Sequence, residues 1–392
     1  MSRYLYLLLL FLLPISKNAQ SITLNQGSTT QKEYYSEIPF ENINNKLIVP
    51  VVIENKTYRF LLDTGAPCVI TSKLSKALQA KFLANINTKD ANGKSDTLKM
   101  VSLQELKLGD ITFQDIPAIV ADNKLVFDCF NIDGFIGSNM LRNSVLQLSS
   151  VKQSIILTDS PSRLKLNKKH ASKLYLYDTQ SSPYIKIKLK NKEEASEELL
   201  FDTGMNNIYD MSLRAYEILK PANIFTDVEE GYGNASIGIF GNSESTKNYR
   251  FTVPQIKING MPFKNITIET TNDQNSRMGA ELIKHGLVTL DYKNKYFYFE
   301  PYKDSYDLSE KRFGFKPTLV NDKLVVGIIW DDSIKGIIGI GDEIVQIDDV
   351  NYDNMDHCLI ITQASLLKGK DTAVVTFRNS VGDLTTLTLN RK

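Results

Sequence analysis

Phe60-Leu61-Leu62-Asp63-Thr64-Gly65-Ala66 and Leu199-Leu200-Phe201-Asp202-Thr203-Gly204-Met205 repeat one pattern 139 residues apart (202 − 63). Each is an apolar run, readable as a buried strand, that ends in Asp-Thr-Gly and so delivers a carboxylate to a tight turn where the core stops. Asp, Thr and Gly are all favoured in ordinary turns, so one such stretch carries little information. Two with the same lead-in point to paired half-sites of a single centre.

The surroundings repeat as well. Leu47 to Glu54 reads as a β-branched strand, Asn55-Lys56 as a two-residue turn, and Thr57 to Leu62 as the strand entering Asp63. Ile185 to Leu189, a charged turn at Asn191 to Glu197 and Leu199 to Phe201 do the same for Asp202. A short apolar strand and a helix follow each motif: Cys68 to Ile70 with Ser72 to Lys81, and Ile208 to Met211 with Leu213 to Leu219. Phe135-Ile136-Gly137 then follows in the first half, and Met278-Gly279 stands where Ile136-Gly137 stood, the glycines lying 74 residues after Asp63 (137 − 63) and 77 after Asp202 (279 − 202). Val145-Leu146-Gln147-Leu148 aligns with Leu287-Val288-Thr289-Leu290, 11 residues from Gly137 to Leu148 and 11 from Gly279 to Leu290. An internal duplication explains this, and its period is too long for a solenoid. Two similar lobes facing one another are expected.

These features make residues 38–300 resemble the aspartic peptidases, specifically retropepsin-like units fused into a pepsin-like bilobal chain. The resemblance implies a mainly β protein of two duplicated acid-protease β-barrel lobes, residues 33–160 and 180–301, with Asp63 and Asp202 meeting as the catalytic pair at their interface. It also implies glycine-bearing hairpins acting as flaps, for which Asn92-Gly93 and Tyr232-Gly233 are the candidates. The Tyr-Gly pair expected in the first half of a pepsin-like enzyme is missing there and occurs in the second.

The chemistry follows from elementary electrostatics. Two carboxylates brought together cannot both ionise cheaply, so they share a proton and titrate as a pair. The ionised member takes a proton from a water between them and the protonated member hydrogen-bonds the substrate carbonyl. Neither metal nor cofactor is required. Thr64 and Thr203 are placed to hydrogen-bond across the interface, while Gly65 and Gly204 let the backbone fold close to the carboxylates. Ala66 and Met205 stand after the glycines and neither donates a hydroxyl, which predicts a dyad whose upper pKa is higher than in acid-adapted relatives.

After Pro301 the pattern changes. Phe313-Gly314-Phe315, the strand Lys323 to Trp330, and the run Gly341-Asp342-Glu343-Ile344-Val345-Gln346-Ile347-Asp348-Asp349-Val350 make residues 311–392 resemble a small α+β PDZ domain. The resemblance implies capture of a peptide as an added strand, with Phe313, Gly314 and Phe315 in the loop that holds its end.

Composition limits the partners. A formal net charge of +1 with no like-charged block argues against nucleic acid and leaves peptides or proteins as the expected substrates. Residues 1–20, with Arg3 followed by an apolar stretch from Tyr4 to Ile15, read as a signal peptide. Export to a periplasmic or secreted location is expected, with no stable membrane span after its removal and an uncleaved anchor as the alternative. Cys68, Cys129 and Cys358 are an odd number, so at least one thiol is unpaired within the chain. Pairing of Cys68 with Cys129 and burial of free thiols are both open. His170, His285 and His357 lack metal-ligand spacing. The class opposed to an enzyme is a non-catalytic peptide-binding protein with a degraded cleft.

Overall fold

The computed structural model describes residues 23–392, and the expected signal peptide lies outside them. The chain is mainly β, and its strands fall where the apolar alternation places them. Lys46–Ile53 and Lys56–Asp63 form the first hairpin, in register from Ile48 opposite Leu61 to Ile53 opposite Lys56. Its counterpart is Ser182–Lys190 with Glu194–Asp202, Tyr184 opposite Leu200. In each half, the strand carrying the aspartate continues in parallel beside the strand that ends in the second glycine. Asp63 thus lies opposite Gly137, and Asp202 opposite Gly279.

The aligned terminal hairpins pair with one another. Val145–Ser149 runs antiparallel to Gly286–Asp291, Leu146 opposite Leu290, at the centre of a six-stranded sheet built from both halves. Duplicated sequence therefore becomes a pseudo-twofold arrangement, because two copies of one strand satisfy their edges best by pairing antiparallel about an axis. Phe60, Leu62, Ile136, Leu146, Leu199, Phe201, Met278 and Leu290 are all buried in one core that runs through both halves. That continuous core makes the lobe interface rigid at the level of the two aspartates.

Residues 313–389 close a second, separate core, including Phe315, Val326, Ile344, Val375 and Phe377. This C-terminal unit is nonetheless stitched to the second half by strand pairing, Tyr232 opposite Ile329 and Gly233 opposite Ile328. The approach is close enough that a side chain at Gly233, where φ is +135°, would meet the carbonyl oxygen of Gly327 at 1.9 Å. Among the described residues no helix is long and apolar enough to cross a membrane.

The cysteines settle into a pattern left open by the sequence. Cys129 is bonded to Cys358, joining the first half to the C-terminal unit across 229 residues. Cys68 is free and buried against Gly137, whose N–H approaches its sulfur at 3.3 Å. The Cys68 to Cys129 pairing is therefore replaced by one that only the docking of the C-terminal helix His357–Thr362 makes possible. Burial pushes the Cys68 thiol up to about 12, leaving it unreactive as a thiolate.

Candidate active site

The two Asp-Thr-Gly turns meet at the pseudo-twofold axis. Asp63 and Asp202 are buried, and their carboxyl groups are within hydrogen-bonding reach of each other. Each glycine lies against the opposite aspartate: a Cβ on Gly65 would stand 2.4 Å from Cγ of Asp202, and one on Gly204 would stand 2.4 Å from Oδ2 of Asp63. No other residue type fits at these two positions without displacing a carboxylate. Oδ1 of Asp63 accepts from the N–H groups of Gly65 at 3.0 Å and Ala66 at 3.1 Å, and Oδ1 of Asp202 accepts from Gly204 N–H at 2.8 Å.

The threonines bind the two turns together. The N–H of Thr64 donates to Oγ1 of Thr203 and the N–H of Thr203 to Oγ1 of Thr64, each at 3.0 Å. Both hydroxyls donate onward at 2.7 Å, to the carbonyls of Phe201 and Leu62. Each threonine's N–H and hydroxyl is thus satisfied by the other half.

Side chains from outside the motifs complete the centre. Lys46 Nζ donates to the carbonyl of Gly204, and Gln180 Nε2 donates to the carbonyl of Gly65 at 3.2 Å, so each Asp-Thr-Gly turn is held by a residue of the opposite half. Arg277 Nη1 is 3.1 Å from Oδ2 of Asp202, and its Nη2 is ion-paired with Asp273. Neither Lys46 nor Arg277 is marked by the sequence pattern. Arg277 was within reach of it, since extending the Ile136-Gly137 and Met278-Gly279 alignment by one residue sets Arg277 against Phe135. Burial, then the charge of Asp202, raises Asp63 to about 7, against an opposing pull from Lys46. Burial leads the causes of this rise, and a missing hydroxyl donor beside Ala66 or Met205 is not among them. Burial lowers the Lys46 ammonium, opposed by both aspartates.

The dyad opens into a cleft of about 1030 Å³. Its cover is made by both halves. Asn92 and Gly93 lie at the tip of the hairpin formed by Lys81–Lys89 and Ser95–Leu108. Asn92 Nδ2 donates to the Gly241 carbonyl at 2.9 Å, Ser236 Oγ bonds Asn92 Oδ1 at 2.8 Å, and the N–H of Phe240 reaches Asp90 Oδ2 at 3.1 Å. The tip of the second half is the small hairpin at 237–242 rather than Tyr232-Gly233. Tyr232 is exposed and Gly233 is clamped against Gly327, because the strand carrying them is the one to which the C-terminal unit is joined.

The C-terminal unit contributes Lys316, Ile328 and Ile361 to the cleft wall. In its loop, Phe313 is buried and its carbonyl accepts from Arg250 Nη1 at 2.9 Å, while the carbonyl of Gly314 accepts from the N–H groups of Trp330 and Asp331. Phe315 is buried at the start of the strand Phe315–Val320, which pairs along one edge with Lys323–Ile329. Among the described residues, the one tight grouping of metal-binding residue types is Cys129, His357 and Cys358, whose two sulfurs are bonded to each other.

With this geometry in view, comparisons with known proteins give the following. A family model described as aspartyl protease matches residues 49–140, which contain the first Asp-Thr-Gly and the Phe135-Ile136-Gly137 strand beside it. No curated protein matches the chain. Among solved structures, an aspartic proteinase from Irpex lacteus aligns at 12% identity over 69% of this chain and 98% of its own, with a TM-score of 0.44. Conglutin gamma from lupine seeds aligns at 11% identity over 69% and 95%, with a TM-score of 0.42. Basic 7S globulin from soybean aligns at 11% over 68% and 94%, with a TM-score of 0.40. Over residues 49–140 the chain is similar to the aspartyl proteases.

Proposed function

We propose that the chain is an exported aspartic endopeptidase that hydrolyses peptide bonds with Asp63 and Asp202. The observation that carries this is the mutual packing of the two turns, each glycine pressed on the opposite carboxylate, around one acid raised to about 7. One carboxyl group then holds a proton while the other is ionised, which is the state the reaction needs. The ionised group takes a proton from water as its oxygen attacks the peptide carbon, and the protonated group gives its proton to the carbonyl oxygen. Collapse of the resulting gem-diol follows: the carboxyl group that took the water's proton gives it to the nitrogen as the C–N bond breaks, and the other carboxylate takes a proton from a gem-diol hydroxyl, which leaves the carboxylic acid product and restores the singly protonated pair. The fixed N–H groups of Gly65, Ala66 and Gly204 hold both carboxylates in place throughout.

The C-terminal unit in this proposal is a PDZ-like module, residues 311–392, that binds a peptide or protein segment as an added strand. The two lobes correspond to residues 33–160 and 180–301.

A non-catalytic peptide-binding role is the second possibility, favoured by two observations: Arg277 engages one of the aspartates, and hydrogen bonds hold the cleft cover shut. One experiment separates them. Purified protein is incubated with an unfolded protein substrate beside Asp63→Asn and Asp202→Asn variants, with and without a statine-type inhibitor whose hydroxyl replaces the water. Cleavage abolished by either variant and by the inhibitor is expected. Equal behaviour of all three proteins ends the enzyme assignment.

A further inference from the structure

The pseudo-symmetry of the two halves exposes one place where it is broken. In the first half, Val69 pairs with Phe135 and also with Ile119. In the second, the same register pairs Asp210 with Arg277, and the parallel pairing of Met211 with Thr270 sets Asp210 beside Glu269. Val69, Phe135 and Ile119 thus correspond to Asp210, Arg277 and Glu269, and all six line the cleft. An apolar wall stands beside Asp63, and a charged one beside Asp202.

We infer that Arg277 is a positioning residue that decides which aspartate carries the shared proton: its guanidinium keeps Asp202 as the base and leaves the proton on Asp63. This rests on the peptidase assignment above and adds to it the division of roles. A symmetric dyad has no reason to favour either carboxyl group, and a cation on one side removes that degeneracy by stabilising the charged form there. Arg277 lies on the strand Arg277–Gly279, whose parallel register with Leu200, Phe201 and Asp202 fixes where the guanidinium is delivered. Its second nitrogen is tied to Asp273, so the group is anchored at both ends. The position equivalent to Arg277 on the Asp63 side is Phe135, which carries no charge.

The other charges around the pair do not reproduce this choice. Lys46, from the strand Lys46–Ile53, is felt by both aspartates, as is Arg277, but Lys46 donates to the Gly204 carbonyl, whereas Arg277 is in ion-pair contact with Asp202. Glu269 is ion-paired with Lys316 of the C-terminal unit at 2.5 Å, and Asp210 accepts from Asn207 Nδ2 at 3.0 Å. Asp273 shares Arg277 with Asp202. Burial raises the phenols of Tyr184 and Tyr292, the latter near Asp63, and keeps both neutral. Among the described residues, Arg277 is the cation in ion-pair contact with one member of the dyad, Asp202.

The test is a carbon-13 NMR titration of protein labelled at the aspartate carboxyl carbon, assigned with Asp63→Asn and Asp202→Asn and run beside a pH profile of kcat/KM. In the unsubstituted protein the Asp202 signal should titrate below that of Asp63. Arg277→Met and Arg277→Gln, two neutral replacements of similar length, should raise the Asp202 midpoint by about one pH unit or more, and Arg277→Lys should restore much of it. The acid limb of the pH profile should move with the midpoint. A merely structural arginine would lower the rate or the melting temperature and leave both midpoints in place, and unmoved midpoints in either folded neutral variant overturn the inference. The NMR midpoints decide it even without hydrolysis, which would count against the peptidase assignment alone.

Discussion

Thr64 and Thr203 hold each other across the pseudo-twofold axis, each N–H donating to the other's hydroxyl at 3.0 Å, and both residues are fully buried. Thr64→Val keeps the shape and removes the hydroxyl, leaving the N–H of Thr203 and the carbonyl of Phe201 without partners. The expected loss is about 2 to 6 kcal/mol, since each of the two buried groups left unsatisfied costs roughly 1 to 3 kcal/mol. Urea unfolding of the variant and the unsubstituted protein measures it, and a change well under 1 kcal/mol would show that water reaches the interface.

Gly204→Ala places a methyl group where Oδ2 of Asp63 now lies. The core around the turn holds its backbone, so the carboxylate must move. A displacement near 1 Å in a catalytic group costs on the order of 100-fold in rate. Turnover of an unfolded substrate should fall by at least that factor while the circular dichroism spectrum stays that of a β protein. A variant as active as its parent would mean that the two turns are not in contact during turnover.

Asp63 carries a pH signature in stability. Its pKa is about 7 in the folded protein against an ordinary value of 3.8, so folding favours its protonated form. That advantage is complete below the unfolded value and is lost as the pH rises through about 7, each pH unit between the two values being worth about 1.4 kcal/mol. Asp63→Asn, which cannot ionise, should therefore gain on the unsubstituted protein as the pH is taken from 4 to 8. Melting temperatures measured across that range check it, and a constant difference would place the proton elsewhere.

The Cys129 to Cys358 bond closes a loop of 229 residues and holds the C-terminal unit on the first half. The chain-entropy account sets its contribution at about 5 kcal/mol as an upper figure. Reduction, or Cys358→Ser, should make the segment from 311 onward the first to be cut in limited proteolysis. Unchanged cleavage kinetics would mean that strand pairing through Gly233 and Ile328 suffices to hold it.

Asp90 caps its own hairpin tip, accepting the N–H groups of Asn92 and Lys94, and also receives the N–H of Phe240 from the opposite half. Asp90→Ala should release the cover of the cleft. Hydrogen exchange at residues 236–242 should accelerate about tenfold or more, the equivalent of one hydrogen bond of roughly 1.4 kcal/mol. Exchange at the buried Thr64 and Thr203 amides should stay slow in the same experiment.

Much of this arrangement is legible before any coordinates. The alternation around Leu47 to Leu62 and Ile185 to Phe201 marks strands, and the matched distances to Gly137 and Gly279 mark a duplication. Duplication in turn implies two aspartates brought together. The tip at Asn92-Gly93 is visible as a turn signal between strands. Tyr232-Gly233 misleads because a glycine in a strand is equally a site where another backbone comes close, here that of Gly327.

What the amino-acid order by itself determined is the set of local choices: which stretches are strands, where turns interrupt them, and that one pattern occurs twice. These depend on neighbours a few residues apart, which a one-dimensional pattern records. The tertiary structure alone decided the rest. Lys46 reaches Gly204, Arg277 reaches Asp202, Cys129 meets Cys358, and the hairpin at 237–242 closes onto Asp90 and Asn92. Each joins segments that are remote in the chain or brought side by side only by strand register, and charge, burial and reach act through space. The carboxylate pair is written twice in the sequence, but the asymmetry between its members exists only where the two halves meet.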